Sequence, residues 1–105
     1  STPLGDVIES KAIHEIFGDN KDLSISSTKS MTGHLLGAAG AIEAIFCLLS
    51  MRDSMIPPTI NLEDPDNEFN LDLTPNKPKS KNVDYSMSNS FGFGGTNVSL
   101  IFKKI

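Results

Sequence analysis

The feature that most constrains the fold is an almost uninterrupted apolar run in the middle of the chain, from residue 37 to about residue 53. This run predicts a helix with alanine, isoleucine, leucine or phenylalanine on nearly every face. A helix that is apolar all round has to be buried, and a chain of 105 residues has little other material with which to surround it. We therefore expect much of the structure that covers this helix to lie outside these residues.

The flanking sequence predicts a small α/β arrangement. An apolar stripe at helical spacing indicates a first helix over Pro3–Phe17, which ends at a Gly-Asp-Asn turn. The order expected is helix, strand, buried helix, and then two strands joined by a glycine-rich bend. The strand candidates are residues 23–27, 83–88 and 98–103, with a short extended piece at 59–62 and mostly loop over 63–81.

Composition excludes several classes of function. The net charge is −4, which disfavours a nucleic-acid surface because phosphate binding needs clustered lysine and arginine. The lysines at 77, 79 and 81 form a basic loop, which is expected to be solvated unless an acidic partner docks there. The single cysteine excludes an intrachain disulfide and suits a reducing compartment.

Three ionisable side chains surround the start and middle of the apolar run. Glu43 lies inside the run, where a charge needs a partner, either Lys29 or a cation held together with backbone carbonyls. His34 follows a glycine at the start of the run, and two interpretations stay open. Its ring is either hydrogen-bonded for packing or a neutral imidazole that donates an N–H to a developing oxyanion. At 3.6 residues per turn, His34 can border a site with Glu43 only if it lies before the helix.

Two other reactive residue types are interpreted as structural. Cys47 lies in the middle of the predicted helix among large apolar residues, so we expect a small core residue and not a nucleophile. His14 has charged neighbours on the first helix and is expected at the surface.

The glycine-rich bend at residues 92–95 lacks the sequence of a phosphate-binding loop and precedes a strand, not a helix. Its glycines permit motion of the aromatic residues Phe91 and Phe93. The alternative is a tight hairpin with two core aromatics.

Four segments together resemble a known family: STPLGD, TKSMTGHLLGAAGAIEAI, PPTINLEDPD and MSNSFGFGGTNVSLIF. They follow one another in the order and at the spacing found in β-ketoacyl-acyl-carrier-protein synthases, in particular the elongating synthase II group. The resemblance spans essentially residues 1–105. It implies the C-terminal part of a thiolase-like α/β fold, with a mixed sheet, a buried helix and the N-terminal half absent.

The resemblance also implies a Cys-His-His site, of which this chain holds only a part. His34 matches the second catalytic histidine and Lys29 the catalytic lysine. The resemblance places the nucleophilic cysteine in the N-terminal half and the first histidine just before the Thr-Ser-Thr-Pro turn in which these residues begin, so both are expected outside this chain. Cys47 does not match the nucleophile. Thr2 matches a threonine that lines the pantetheine channel, and Phe93, with Phe91 beside it, matches the gate of the acyl pocket.

Further expectations concern ions and partners. Glu43, Ser88 and Asn89 match positions that hold a structural Na⁺ or K⁺ in some members, and no other cofactor is expected. The expected activity is a decarboxylative condensation with malonyl-acyl-carrier protein, in a cytoplasmic or organellar homodimer. The expected partners are acyl- and malonyl-acyl-carrier protein and the remainder of the same enzyme, with no nucleic acid and no membrane. A non-catalytic chain-length-factor homologue, a polyketide ketosynthase and a stand-alone binding domain remain as alternatives.

Overall fold

The computed structural model describes residues 2–64 and 68–105, and part of the predicted loop therefore lies outside the described residues. Helices fill the first half of the chain and short antiparallel strands the second. The elements are α1 (Pro3–Phe17), α2 (Lys29–Thr32), a 3₁₀ turn (Leu36–Ala38), α3 (Ala39–Asp53), β1 (Met55–Ile56), β2 (Lys79–Ser80), β3 (Tyr85–Phe91) and β4 (Asn97–Lys103).

Helix α1 has the predicted bounds, Pro3–Phe17. It begins at an N-cap, Thr2, whose side-chain oxygen accepts a hydrogen bond of 3.0 Å from the Gly5 N–H. It ends where Gly18 adopts a φ of 59°, a conformation that glycine reaches without steric cost. Its apolar side chains at Ile8 and Ile16 are exposed, so the predicted stripe is left uncovered by the described residues.

Helix α3 is the predicted apolar helix, and it begins two residues later than expected because a 3₁₀ turn occupies Leu36–Ala38. It packs on β3. A side chain at Gly40 would approach Ser90 Oγ to 3.7 Å, and Ser86 Oγ donates to Met51 Sδ at 3.0 Å. Small residues on both elements thus allow close approach between helix and strand.

Strands β3 and β4 form the predicted antiparallel hairpin, with Tyr85 opposite Lys103 and Phe91 opposite Asn97. The connecting turn is closed by a 2.8 Å bond from the Gly92 N–H to the Thr96 carbonyl. Gly94 has a φ of 80° and Gly95 a φ of 83°, which explains the glycines of this turn. Strand β3 starts two residues later than predicted and ends three residues later than predicted.

The strand predicted over residues 23–27 does not form. This segment is extended, and its Ile25 N–H donates to the Asp72 carbonyl of the facing loop at 2.7 Å, but it is not part of a regular strand. The facing backbone is irregular there, because Asn70 and Thr74 have positive φ, and no ladder can continue. The extended piece expected at 59–62 reduces to a single parallel bridge between Thr59 and Pro75.

The chain covers little of its own apolar surface. Its accessible surface is 7561 Å², whereas a folded monomer of 11.3 kDa has about 5,700 Å². Among the described residues the buried hydrophobic side chains are Met51, Ile56 and Leu71. Helix α3 is covered by the hairpin on one side, but Ile45 and Leu48 remain exposed. The difference of about 1,800 Å² is roughly twice the area of about 800 Å² that each partner buries in a standard protein interface.

In the part of the chain that the structure describes, every helix is too short or too polar to cross a membrane.

Candidate functional site

The candidate site lies where α2 and the following turn face the middle of α3. Lys29 opens α2, and its ammonium Nζ donates a short hydrogen bond to Glu43 Oε1. The Lys29 side chain is 37% exposed and that of Glu43 is 16% exposed. Of the two partners expected for Glu43, the structure therefore provides Lys29. This ion pair connects α2, which carries Lys29, to α3, which carries Glu43.

His34 lies between α2 and the 3₁₀ turn, before α3, as a shared site with Glu43 requires. Its ring is exposed, and its Nδ1 accepts a 2.9 Å hydrogen bond from the Leu36 N–H. Leu36 has a φ of 51°, and this strained backbone directs its N–H back to the ring. An Nδ1 that accepts has no proton, so the neutral ring carries its proton on Nε2. His34 thus presents an Nε2–H donor on the surface of the chain.

The sequence analysis did not identify a second carboxylate near Lys29, that of Glu9. Burial, together with the negative charge of Asp6, raises the pKa of Glu9 on α1, and the positive charge of Lys29 opposes that shift. Glu9 is therefore within electrostatic reach of Lys29, although it is 20 positions away in the sequence. The available signal was the spacing of Asp6 and Glu9, which places two carboxylates on the same side of one helix.

Cys47 is half-buried on α3 and free. Burial raises the pKa of its thiol, a hydrogen bond with Ser86 opposes this, and the negative charge of Glu43 raises it further. A thiol in these surroundings stays protonated and is a poor nucleophile. Its position and pKa agree with the interpretation of Cys47 as a structural residue.

The residues predicted to contact substrate lie at the start of α1 and at the tip of the hairpin. Thr2 caps α1 with its hydroxyl oxygen. Phe93 and Phe91 are exposed at the tip of the hairpin, with Phe93 entirely uncovered. The alternative of two core aromatics does not hold within this chain.

The three predicted cation ligands are not brought together as side chains. Ser88 is buried, between Ser86 and Ser90, on the face of β3 that packs on α3. Asn89 points to the opposite face and accepts a 2.7 Å hydrogen bond from Ser99 Oγ. A cation beside Glu43 would therefore use its carboxylate with Ser88 or backbone carbonyls, and not the Asn89 amide.

His14 is not the surface residue that was predicted. It is half-buried, and its ring stacks on Phe69 with 4.9 Å between centroids and 26° between planes. Periodicity in the sequence does not indicate this contact, because the loop that carries Phe69 has no regular structure. Nδ1 of His14 is buried without a hydrogen-bond partner among the described residues.

The basic loop is not a free positive patch. Lys79 donates to Asp72 Oδ2 at 2.5 Å, and Lys81 Nζ donates to the Asp22 carbonyl. Burial acts to raise the pKa of Asp72, but hydrogen bonds from Lys79, Ser24 and the Thr74 N–H outweigh it and hold that pKa below its usual value. Through these hydrogen bonds the lysine side chains hold the loop against the segment that contains Asp22 and Ser24.

Comparisons with known proteins agree with this arrangement. The chain is 54% identical over 107 residues to 3-oxoacyl-[acyl-carrier-protein] synthase 2 of Vibrio harveyi, matching 100% of this chain and 26% of that protein. It is 57% identical over 105 residues to the protein of the same name from Staphylococcus aureus, matching 99% of this chain and 25% of that protein. The chain thus spans about a quarter of the length of the curated relatives it matches.

Solved structures give the same result. One is a type II polyketide acyl-carrier protein in complex with its ketosynthase bound to the hexaketide. A chain of this solved complex superimposes on the present chain with a TM-score of 0.92 at 36% identity, over 100% of this chain and 26% of the solved chain. A β-ketoacyl synthase from Burkholderia phymatum gives a TM-score of 0.86 at 42% identity, over 96% of this chain and 24% of the solved chain. The expected α/β fold, the C-terminal part of the thiolase-like architecture, is confirmed.

The family described as β-ketoacyl synthase, C-terminal domain, matches residues 1–63, which include α1, the Lys29–Glu43 pair and His34. On this match and on the identity to curated relatives, the chain belongs to the β-ketoacyl synthase family.

Proposed function

We propose that this chain supplies the C-terminal part of a condensing enzyme of fatty acid elongation, a 3-oxoacyl-acyl-carrier-protein synthase. Identities of 53–57% to synthase 2 proteins support the assignment of reaction class. The observation that carries the mechanism is His34, whose Nδ1 accepts the Leu36 N–H and whose Nε2–H is therefore available as a donor.

In the proposed reaction an acyl chain is held as a thioester on a cysteine of the N-terminal half. Malonyl-acyl-carrier protein loses CO₂, and the electron pair of the broken C–C bond passes into an enolate whose oxygen carries the charge. The enolate carbon attacks the acyl thioester carbonyl, a C–C bond forms, and the cysteine leaves as thiolate. His34 donates Nε2–H to the thioester oxygen of the malonyl group and stabilises the enolate.

Lys29 orders this site without transferring a proton. Its bond to Glu43 connects α2 to α3, and His34 lies on the turn between those elements. A fixed turn keeps the Nε2–H donor in place, which matters because oxyanion donors act through preorganisation. Glu9 adds a second negative charge near Lys29, beside that of Glu43.

The remaining parts of the proposal concern substrates and assembly. Acyl- and malonyl-acyl-carrier protein are the partners, Thr2 lines the pantetheine channel, and Phe93 with Phe91 gates the acyl pocket. The full-length enzyme is a homodimer of the bacterial cytoplasm or an organellar matrix. A Na⁺ or K⁺ beside Glu43 and Ser88 is an optional structural ion.

Two related functions are the alternatives. The solved structure of the ishigamide ketosynthase/chain length factor superimposes with a TM-score of 0.92, but at 38% identity. The identity to synthase 2 proteins is higher by 15 or more percentage points, and this difference favours fatty acid elongation over a polyketide or chain-length-factor role.

The test is His34→Ala in the full-length enzyme, with His14→Ala as the matched control. Loss of one oxyanion donor should slow malonyl decarboxylation about 10²–10³-fold while acyl transfer to the cysteine is retained. His14 stacks on Phe69, so its replacement should lower stability and leave the ratio of the two half-reactions unchanged. An equal loss of both half-reactions in His34→Ala would instead make His34 a structural histidine and refute the proposed role.

A further inference from the structure

Helix α2, which carries Lys29, is too short to be stable on its own. It has four residues, a single turn, and no side chain caps its N-terminus. Formation of one helical turn is unfavourable because several backbone angles are fixed for one hydrogen bond. Contacts from elsewhere in the chain must therefore hold α2 in place.

Two hydroxyl groups supply such contacts. The Ser27 N–H donates to Thr59 Oγ1 at 2.9 Å. Ser30 Oγ donates to the Ser27 carbonyl at 2.9 Å and accepts from the Ile60 N–H at 3.0 Å. Two hydrogen bonds thus connect the start of α2, on either side of Lys29, to residues 59–60, and a third joins Ser30 to Ser27 across Lys29. We name this set of bonds the α2 seam.

The segment on the other side of the α2 seam is itself fixed. The Thr59 N–H donates to the Thr74 carbonyl at 2.9 Å, and the Asn76 N–H donates to the Thr59 carbonyl at 2.8 Å. Pro58, immediately before it, is buried, and its ring restricts the backbone. Thr74 is only 2% exposed. Thr59 is therefore anchored on both its backbone groups and offers its hydroxyl oxygen from a rigid position.

We propose that Ser30 and Thr59 are positioning residues that hold α2 so that Lys29 meets Glu43 and His34 stays in its catalytic orientation. The proposal rests on the proposed function of this site. Neither hydroxyl needs to touch substrate. Each acts through α2, because loss of either one removes at least one of the three bonds that fix the backbone on both sides of Lys29.

The experiment uses pairs of variants in the full-length enzyme. Thr59→Val keeps the shape but removes the acceptor of the Ser27 N–H, whereas Thr59→Ser keeps that acceptor. Ser30→Ala removes the hydroxyl of the second contact. Ser50→Ala is the matched control, because Ser50 Oγ is part-buried and donates to the Phe46 carbonyl of its own helix at 2.8 Å.

Thr59→Val and Ser30→Ala should each lower kcat for malonyl decarboxylation by about tenfold, the effect of losing one or two hydrogen bonds, with acyl transfer to the cysteine unchanged. Thr59→Ser should restore kcat, and Ser50→Ala should leave it as it is. Hydrogen–deuterium exchange at residues 29–34 should be faster in Thr59→Val and Ser30→Ala only.

Normal decarboxylation and normal exchange at residues 29–34 in Thr59→Val and Ser30→Ala would overturn the proposal, as would an equal loss of both half-reactions. An unsubstituted enzyme that makes no ketoacyl product would refute the proposed function instead. The exchange measurement would still test whether the α2 seam holds α2.

Discussion

Replacement of Glu43 by glutamine tests the ion pair that joins α2 to α3. A pair that is wholly buried costs about 3–5 kcal/mol when one partner is removed, whereas an exposed pair contributes at most about 1 kcal/mol. Glu43 is 16% exposed and Lys29 is 37% exposed, so solvent screens the lysine end substantially. An intermediate coupling of about 2 kcal/mol follows for the pair.

A double-mutant cycle in the full-length enzyme measures this coupling without counting other effects of each change. The cycle compares Glu43→Gln, Lys29→Met and the double variant by chemical unfolding. The double variant should be less destabilised than the sum of the single variants by about 2 kcal/mol. A coupling energy below about 0.5 kcal/mol would refute the argument, since it would mean that the contact contributes no more than a surface pair.

Three further predictions follow from exposed or titrating groups. Phe93→Ala in the full-length enzyme should change acylation kinetics with little loss of stability; a loss of several kcal/mol with normal acylation would show that the ring is packing. The pKa of Asp72 is lowered on folding, so its contribution is present above about pH 4 and is lost as pH falls through the folded pKa. Asp72→Asn should therefore destabilise at pH 7 and flatten the acid limb of the stability profile; an unchanged acid limb would contradict this. The isolated chain, with its excess exposed surface, should aggregate or bind a hydrophobic dye and show no condensation activity, and ketoacyl product from it alone would contradict the proposed function.

The sequence determined the elements whose causes are local. Helix α1 was predicted to the residue because a proline start, helical spacing and a glycine stop all act within a few positions. The hairpin followed from alternation and a glycine-rich turn. The position of Glu43 inside the apolar run predicted that its carboxylate has a charged partner, and Lys29 was one of the two partners considered. The family resemblance, and with it the expected roles of His34 and Lys29, also came from the sequence alone.

The tertiary structure decided what depends on distant residues or on individual backbone angles. The predicted strand at 23–27 failed because its neighbour is a loop whose positive-φ residues interrupt the ladder. The stack of His14 on Phe69, the charge of Glu9 near Lys29 and the α2 seam all join positions far apart in the sequence. The tautomer of His34 depends on the positive φ of Leu36, a non-glycine residue for which spacing and composition give no warning. Periodicity describes how one segment repeats along itself, whereas these features depend on which segments meet and at what angle.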